Sequence, residues 1–127
     1  MRQIASLVLI LPLVASGCAA VLGIGAGVVI SQDVLDSSTF VAQLEQDTNV
    51  AWATAKASLG HQSTEPIAVD EDLRTAVGTV DGAEVTVSVE AYDLNRCRLL
   101  VSARKYAVSN GEIAEMVFNK IINSFNN

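Results

Sequence analysis

The sequence predicts an α+β domain built as a two-layer sandwich, in which two helices cover one face of a three- or four-stranded antiparallel meander. Three observations lead to this prediction. Apolar residues recur at intervals of three and four in residues 40–59 and again in residues 113–125, as in amphipathic helices. Between these segments, apolar and polar residues alternate, as in half-buried strands. A run of strands between two helices favours separate layers over alternating βαβ units.

The first helix is predicted over residues 40–59. Side chains suitable for an N-cap precede it, and Gly60 is a natural end. Trp52, the only tryptophan, lies beside the apolar stripe, and we expect it to anchor the helix on the sheet rather than to stack on a ligand. The four cap candidates are Asp36, Ser37, Ser38 and Thr39, and the stripe consists of Phe40, Leu44, Ala51, Ala55 and Leu59.

The meander is predicted from residue 67 to residue 106. A short strand at 67–69 precedes a strand at 73–80, and Asp81-Gly82 then indicates a type I′ hairpin turn. Residues 84–92 and 96–106 form the next hairpin, each with valines or other apolar residues on one face and polar residues on the other. Ser109 and Glu112 have the spacing of a capping box, which predicts the start of the second helix.

Charged residues mark the outer face of the predicted sheet. Arg96, Arg98 and Arg104 lie on one strand, and Glu84 and Glu90 lie on its neighbour. Cross-strand ion pairs are the simpler explanation. A basic surface for lipid headgroups or phosphorylated glycans is the alternative, which the acidic net charge of the domain opposes.

Composition divides the chain into an apolar start and an acidic remainder. Of the first 30 residues, 21 are hydrophobic and only Arg2 is charged, whereas all 14 acidic residues come later. The remainder suffices for one small domain, which excludes a multidomain enzyme and a polytopic membrane protein. The net charge of −6 and the pI of about 4.5 argue against nucleic acid as a partner.

Residues 1–17 are predicted to be a lipoprotein signal peptide. A basic start precedes an apolar segment at 4–14, and Ala15, Ser16 and Gly17 then lead directly to Cys18. These small residues before a cysteine resemble the lipobox of bacterial lipoproteins. The resemblance implies cleavage between Gly17 and Cys18 and a diacylglyceryl group, with acyl chains such as palmitate, on the Cys18 thiol. We expect no cofactor besides this covalent lipid.

Cleavage would leave 110 residues with a net charge of −7, because Arg2 is removed. The residue after Cys18 is Ala19 and not aspartate. In this respect the chain resembles Gram-negative lipoproteins that are sorted to the outer membrane. The expected location is therefore the periplasmic face of the outer membrane. An uncleaved single-pass anchor over residues 7–30 is the alternative, since about 20 apolar residues span a bilayer. Pro12 and four glycines in that segment weaken such a helix.

Residues 18–36 are predicted to form a lipidated, glycine-rich apolar tether, followed by the folded domain at 37–127. Gly23 and Gly27 have the spacing that lets membrane helices approach closely, which would allow self-association in the membrane. As a helix, the twelve apolar residues 19–30 reach only about 18 Å, too short to span a bilayer alone. A plain connector is favoured, because a single match to this spacing is weak evidence in a segment with three glycines.

The chain offers few groups for catalysis or metal binding, and we predict no catalytic residues and no metal site. His61, the single histidine, lies in a predicted polar loop. Cys97 shares the apolar face of its strand with Leu99, so we expect a buried structural thiol. The acidic run at 70–72 lacks the ligand spacing of a calcium loop and is interpreted as a solvated loop.

The order of these features resembles a family of small bacterial lipoproteins of unknown function. The resemblance covers the whole chain, and it implies no catalytic residues. The leading hypothesis is a lipid-anchored, non-enzymatic protein that binds or scaffolds an envelope partner. A lipid or small-ligand carrier, with an apolar pocket between helices and sheet, is the second hypothesis, and an enzyme is the third. The matching segments are the small-residue run after Cys18, Val50-Ala51-Trp52, Leu59-Gly60, residues 78–85, the basic strand and Ile121-Ile122.

Overall fold

The structure is a computed structural model that describes residues 28–36 and 38–126. The predicted signal peptide, Cys18, Gly23 and Gly27 lie outside the described residues. The helices are α1 (Thr48–Gln62) and α2 (Gly111–Phe125). The strands are β1 (Val29–Asp36), β2 (Thr39–Leu44), β3 (Ala68–Asp70), β4 (Thr75–Val80), β5 (Ala83–Asp93), β6 (Arg96–Lys105) and β7 (Val108–Ser109).

Within the described residues, seven strands form one antiparallel sheet in the order β1-β2-β6-β5-β4-β3, and β7 pairs with the end of β6. Helix α1 contacts β4, β5 and β6, whereas α2 contacts β2 and β6, and the two helices also contact each other. The α+β class, with helices packed against an antiparallel sheet, is therefore confirmed. The sheet is larger than the three- or four-stranded meander that the sequence predicts, because β1, β2 and β7 add to it on the side of β6. The strand β3 matches the predicted short strand at 67–69.

The core lies between the sheet and the two helices. Every second residue points into it from Ala83 to Val89 in β5 and from Cys97 to Ala103 in β6, as the alternation predicts, and α2 contributes one apolar stripe. Packing therefore fixes which sheet face is buried. The fully buried large side chains are Leu44, Leu59, Leu99, Ile121, Val85, Val87, Val89, Val101, Val117 and Cys97.

The first helix is shorter than predicted, because residues 39–44 form strand β2. Phe40 and Leu44 are four residues apart, a spacing that fits one helix face and equally one strand face. In the structure Phe40 packs against Phe118 of α2, with ring centroids 5.6 Å apart, and Leu44 is buried. Asp47 caps α1 instead of the predicted residues, since its Oδ1 accepts hydrogen bonds from the backbone of Asn49 and Val50.

The predicted tether is also shorter, because residues 29–36 form the edge strand β1. This strand pairs along β2, and the Val28 carbonyl accepts a 2.6 Å hydrogen bond from the Glu45 amide. The register shifts near both ends of β1, so its side chains do not alternate cleanly in the sequence. The folded domain therefore includes residues that precede the predicted boundary at residue 37.

Two hairpins have two-residue turns with positive φ angles. Asp81 and Gly82 have φ angles of 50° and 80°, which confirms the predicted type I′ turn between β4 and β5. Tyr106 and Ala107, with φ angles of 56° and 66°, join β6 to β7. Residues with a Cβ rarely adopt this conformation, so the second turn carries backbone strain.

Replacing Ala107 by glycine is expected to raise the free energy of unfolding by about 0.5–1 kcal/mol, because glycine adopts positive φ without steric cost. The measurement is urea denaturation followed by the fluorescence of Trp52. Ala91→Gly, at an exposed strand position in β5, is the control and should lower stability instead. A loss of stability in Ala107→Gly would contradict the assigned turn geometry.

The second helix begins one residue later than the capping box predicts. Ser109 belongs to β7, and Asn110 is the N-cap, with its Oδ1 accepting a 3.0 Å hydrogen bond from the Ile113 amide. Asparagine caps helices as well as serine does. The backbone N–H of Asn110 also donates a 2.9 Å hydrogen bond to the Ala103 carbonyl, which links the start of α2 to β6.

Candidate functional site

The sheet face opposite the two helices, named here the open face, is largely polar. Its side chains alternate with those of the core along β2, β4, β5 and β6. Most are partly exposed, as expected for a face turned toward solvent. Its central residues are Thr39, Val41, Gln43, Thr75, Val77, Thr79, Thr86, Ser88, Leu100 and Ser102.

A cavity of about 260 Å³ lies on the open face where β2, β5, β6 and β7 meet, and we name it the groove. Strand register explains its composition. Ser102 of β6 lies opposite Thr39 on one side and Thr86 on the other. In the next row, Arg104 lies opposite Ser109 and Glu84. The lining residues are Ser38, Thr39, Glu84, Thr86, Ser102, Ala103, Arg104 and Ser109.

The same two strands carry two Glu–Arg pairs, and only one of them forms an ion pair. Arg98 Nη2 donates to Glu90 Oε1 at 2.6 Å, so this predicted cross-strand pair is present. The bond to Glu90 raises the pKa of the Arg98 guanidinium. Glu84 and Arg104 also lie directly opposite each other, but among the described residues no ion pair joins them, and the groove lies at this position.

The three arginines proposed for a basic surface all lie beside acidic residues of the neighbouring strand. Each has an acidic residue opposite it on β5: Arg96 faces Asp93, Arg98 faces Glu90 and Arg104 faces Glu84. Each of these arginines therefore has an acidic neighbour on β5, which disfavours recognition of an anionic surface, although only Arg98 of the three forms an ion pair among the described residues.

A cluster that the sequence does not reveal joins α1 to the turn after β3. Trp52 Nε1 and Lys56 Nζ each donate a 2.7 Å hydrogen bond to the Glu71 carboxylate, and Lys56 lies 5.0 Å from the centre of the Trp52 ring. Trp52 is thus a buried anchor, as predicted, whose polar edge also binds a carboxylate. Only the spacing of Trp52 and Lys56, four residues apart on a helix, hints at the cluster.

The hydrogen bonds from Lys56 and Trp52 lower the pKa of Glu71 below its usual value. Their stabilising effect is therefore complete above the ordinary carboxyl pKa and is lost as the pH falls through the lowered value. We expect the fluorescence of Trp52 to titrate in this acidic range, because the indole loses its charged acceptor. Glu71→Gln should abolish the titration, and Glu65→Gln, at an exposed residue on the loop after α1, should leave it unchanged. A titration that persists in Glu71→Gln would contradict the contact.

The other reactive side chains do not converge. Cys97 is buried, its Sγ donates a 3.7 Å bond to the Gln46 carbonyl, and burial raises the pKa of the thiol. His61 is exposed in the last turn of α1, which extends two residues past Gly60, so the predicted loop position is wrong. Asp70 Oδ1 accepts bonds from the Asp72 and Leu73 amides and organises the turn.

Across the part of the chain that the structure describes, no group of three acidic, histidine or cysteine side chains is arranged to hold a metal ion. Neither α1 nor α2 is long and apolar enough to cross a membrane. No protein-family model matches the chain. No curated protein matches it either.

Proposed function

We propose that the protein is a lipid-anchored lipoprotein of the periplasmic face of the outer membrane, with a non-enzymatic binding or scaffolding role. The lipobox ending at Cys18 supports the anchor. Two or more acyl chains would hold the protein stably on the membrane, since each buried CH₂ contributes about 0.8 kcal/mol.

The observation that carries the binding role is the open face with its groove. Both helices cover the opposite face, and no other helix among the described residues covers the open face, which supports it as a surface for a partner. The direction of β1 also matters. The strand leads from Val29, its residue nearest to Cys18 in sequence, to Asp36, opposite Thr39 at the groove. Seven residue steps of about 3.3 Å separate these ends, so the groove lies about 23 Å along the sheet from Val29.

The positions of the reactive groups support a non-enzymatic role. Cys97 contacts the residue just before Asp47, the N-cap of α1, whereas His61 lies at the other end of this helix. A 15-residue helix is about 22 Å long, so the two groups cannot act on one bond. The cysteine is also protected by burial and by its raised pKa.

The carrier hypothesis has less support. A cavity of about 180 Å³ lies between β1 and α2, lined in part by Val34, Phe40 and Phe118. Its volume is well below the about 300–1,000 Å³ of pockets for drug-sized ligands. The central space between helices and sheet is filled by buried side chains, which leaves little room for an acyl chain.

Photocrosslinking in intact cells tests the binding role. A photoreactive residue at Ser88 or Thr79 on the open face is expected to give a discrete protein adduct. The same residue at Lys120 or Asn123, exposed positions of α2, serves as the matched control and should give none. Adducts from α2 alone, or from neither surface, would contradict the proposal that the open face binds an envelope partner.

A further inference from the structure

We propose that the groove binds a small zwitterion, a molecule of amino-acid or dipeptide size that carries one carboxylate and one ammonium group. This inference rests on the proposed binding role of the open face, and it names the ligand class of one part of that face. Two charges, a set of hydroxyl groups and a size limit carry the argument.

The charges come from Arg104 and Glu84. They lie directly opposite each other on β6 and β5, yet among the described residues no ion pair joins them, whereas Glu90 and Arg98 on the same strands do pair. A planar guanidinium can bind a carboxylate through two parallel hydrogen bonds. A carboxylate can accept hydrogen bonds from an ammonium group. The groove therefore presents one partner for each end of a zwitterion.

Ligands with a single charge fit this arrangement less well. The Glu84 carboxylate would repel a phosphate or another plain anion bound at Arg104, and Arg104 would repel a plain cation bound at Glu84. A neutral sugar can form hydrogen bonds through its hydroxyl groups, but it carries no charge to neutralise either side chain. None of the eight lining residues is aromatic, so the groove offers no ring for a sugar to pack on.

Hydroxyl groups supply the remaining hydrogen bonds. Thr39, Ser102 and Thr86 form one row across three strands, and Ser109 lies beside Arg104 in the next row. A hydroxyl both donates and accepts, so the rows can donate to a carboxylate and accept from an ammonium group. The volume of about 260 Å³ is below the range for drug-sized ligands and limits the ligand to a small molecule.

The strained turn at Tyr106 and Ala107 places Ser109 in the groove. Two consecutive residues with positive φ allow the chain to reverse at once after β6, so that Ser109 pairs with Arg104. Such strain persists where the surrounding structure holds it, and it is frequent at binding sites. Removing this turn would leave one wall of the groove without its hydroxyl group.

The test is an NMR titration of the purified full-length protein in detergent micelles. Alanine, lysine, glutamate and dialanine are the zwitterionic probes, and acetate, ethylammonium, inorganic phosphate and glucose are the matched single-group probes. We expect saturable shifts of the Thr86, Ser102 and Ser109 amides with a zwitterion and none with the single-group probes. Comparison of alanine with dialanine distinguishes a free amino acid from a short peptide.

Four variants complete the test. Arg104→Gln and Glu84→Gln should each weaken binding about tenfold or more, the loss expected for a charged hydrogen-bonding partner. Arg98→Gln and Glu90→Gln remove the equivalent pair outside the groove and should leave binding unchanged. The proposal is overturned if no zwitterion binds, if acetate or phosphate binds as well as alanine, or if the groove variants bind normally. These results do not depend on the crosslinking of a protein partner, so the two proposals can fail separately.

Discussion

Leu99→Ala is expected to lower the free energy of unfolding by about 2–5 kcal/mol, one of the largest effects of any single substitution in the domain. Leu99 is fully buried at the centre of β6, between Ala42 of β2 and Val89 of β5. Truncation removes buried methyl groups and leaves a cavity that the surrounding strands and helices cannot fill. Since small domains are stable by only about 5–15 kcal/mol, the variant should unfold at a much lower urea concentration.

Leu94→Ala is the matched control for this measurement. Leu94 is 87% exposed in the turn between β5 and β6, so the same chemical change there should alter stability by less than about 0.5 kcal/mol. Trp52 fluorescence reports both transitions. Equal stability losses in the two variants would show that Leu99 is not part of the packed layer between the sheet and the helices.

The sequence predicts the central part of this fold because local patterns and tertiary structure agree there. In β5 and β6, one residue in two is apolar, and the alternation identifies the buried face directly. The Asp81-Gly82 turn fixes the register between β4 and β5. In α2, residues Ile113, Val117 and Ile121 have helical spacing, and all three are buried.

The N-terminal part of the fold is harder to predict, because short segments satisfy two periodicities at once. Phe40 and Leu44 fit a helix stripe as well as a strand face. The four cap candidates at residues 36–39 have side chains that can cap a helix, as Asp47 does in the structure. The register of strand β1 shifts near both ends, and its apolar residues follow neither period. Pairing with β2, a tertiary effect, decides its structure.

The groove could be predicted only in part. Glu84 and Arg104 are expected to be cross-strand neighbours, and they are, but their failure to form an ion pair depends on side-chain conformation. Thr39 and Ser109 read as helix caps in the sequence. In the structure Thr39 lies beside Ser102 and Ser109 lies beside Arg104, because β2 and β7 pair with the same side of β6. Thr39 and Ser102 are more than 60 positions apart in the sequence, so local patterns do not predict this arrangement.

Cys18→Ser is expected to abolish lipid incorporation completely, the largest effect on the proposed anchor. A serine hydroxyl cannot replace the thiolate, which is the nucleophile that accepts the diacylglyceryl group. Cells grown with radioactive palmitate should label the unaltered protein and leave Cys18→Ser unlabelled. Mass spectrometry of the intact unaltered chain should also show loss of residues 1–17 and added acyl mass.

Cys97→Ala provides the matched cysteine control, because it removes the other cysteine and should leave labelling unchanged. Cys97 is buried in the core and its pKa is raised, so the thiol of the folded domain is not a competing acceptor. Label that persists in Cys18→Ser would contradict the assigned modification site. An unaltered chain that retains Met1 and an unmodified Cys18 would contradict the lipoprotein proposal and favour the single-pass anchor, since only the anchor keeps the apolar N-terminal segment attached to the domain.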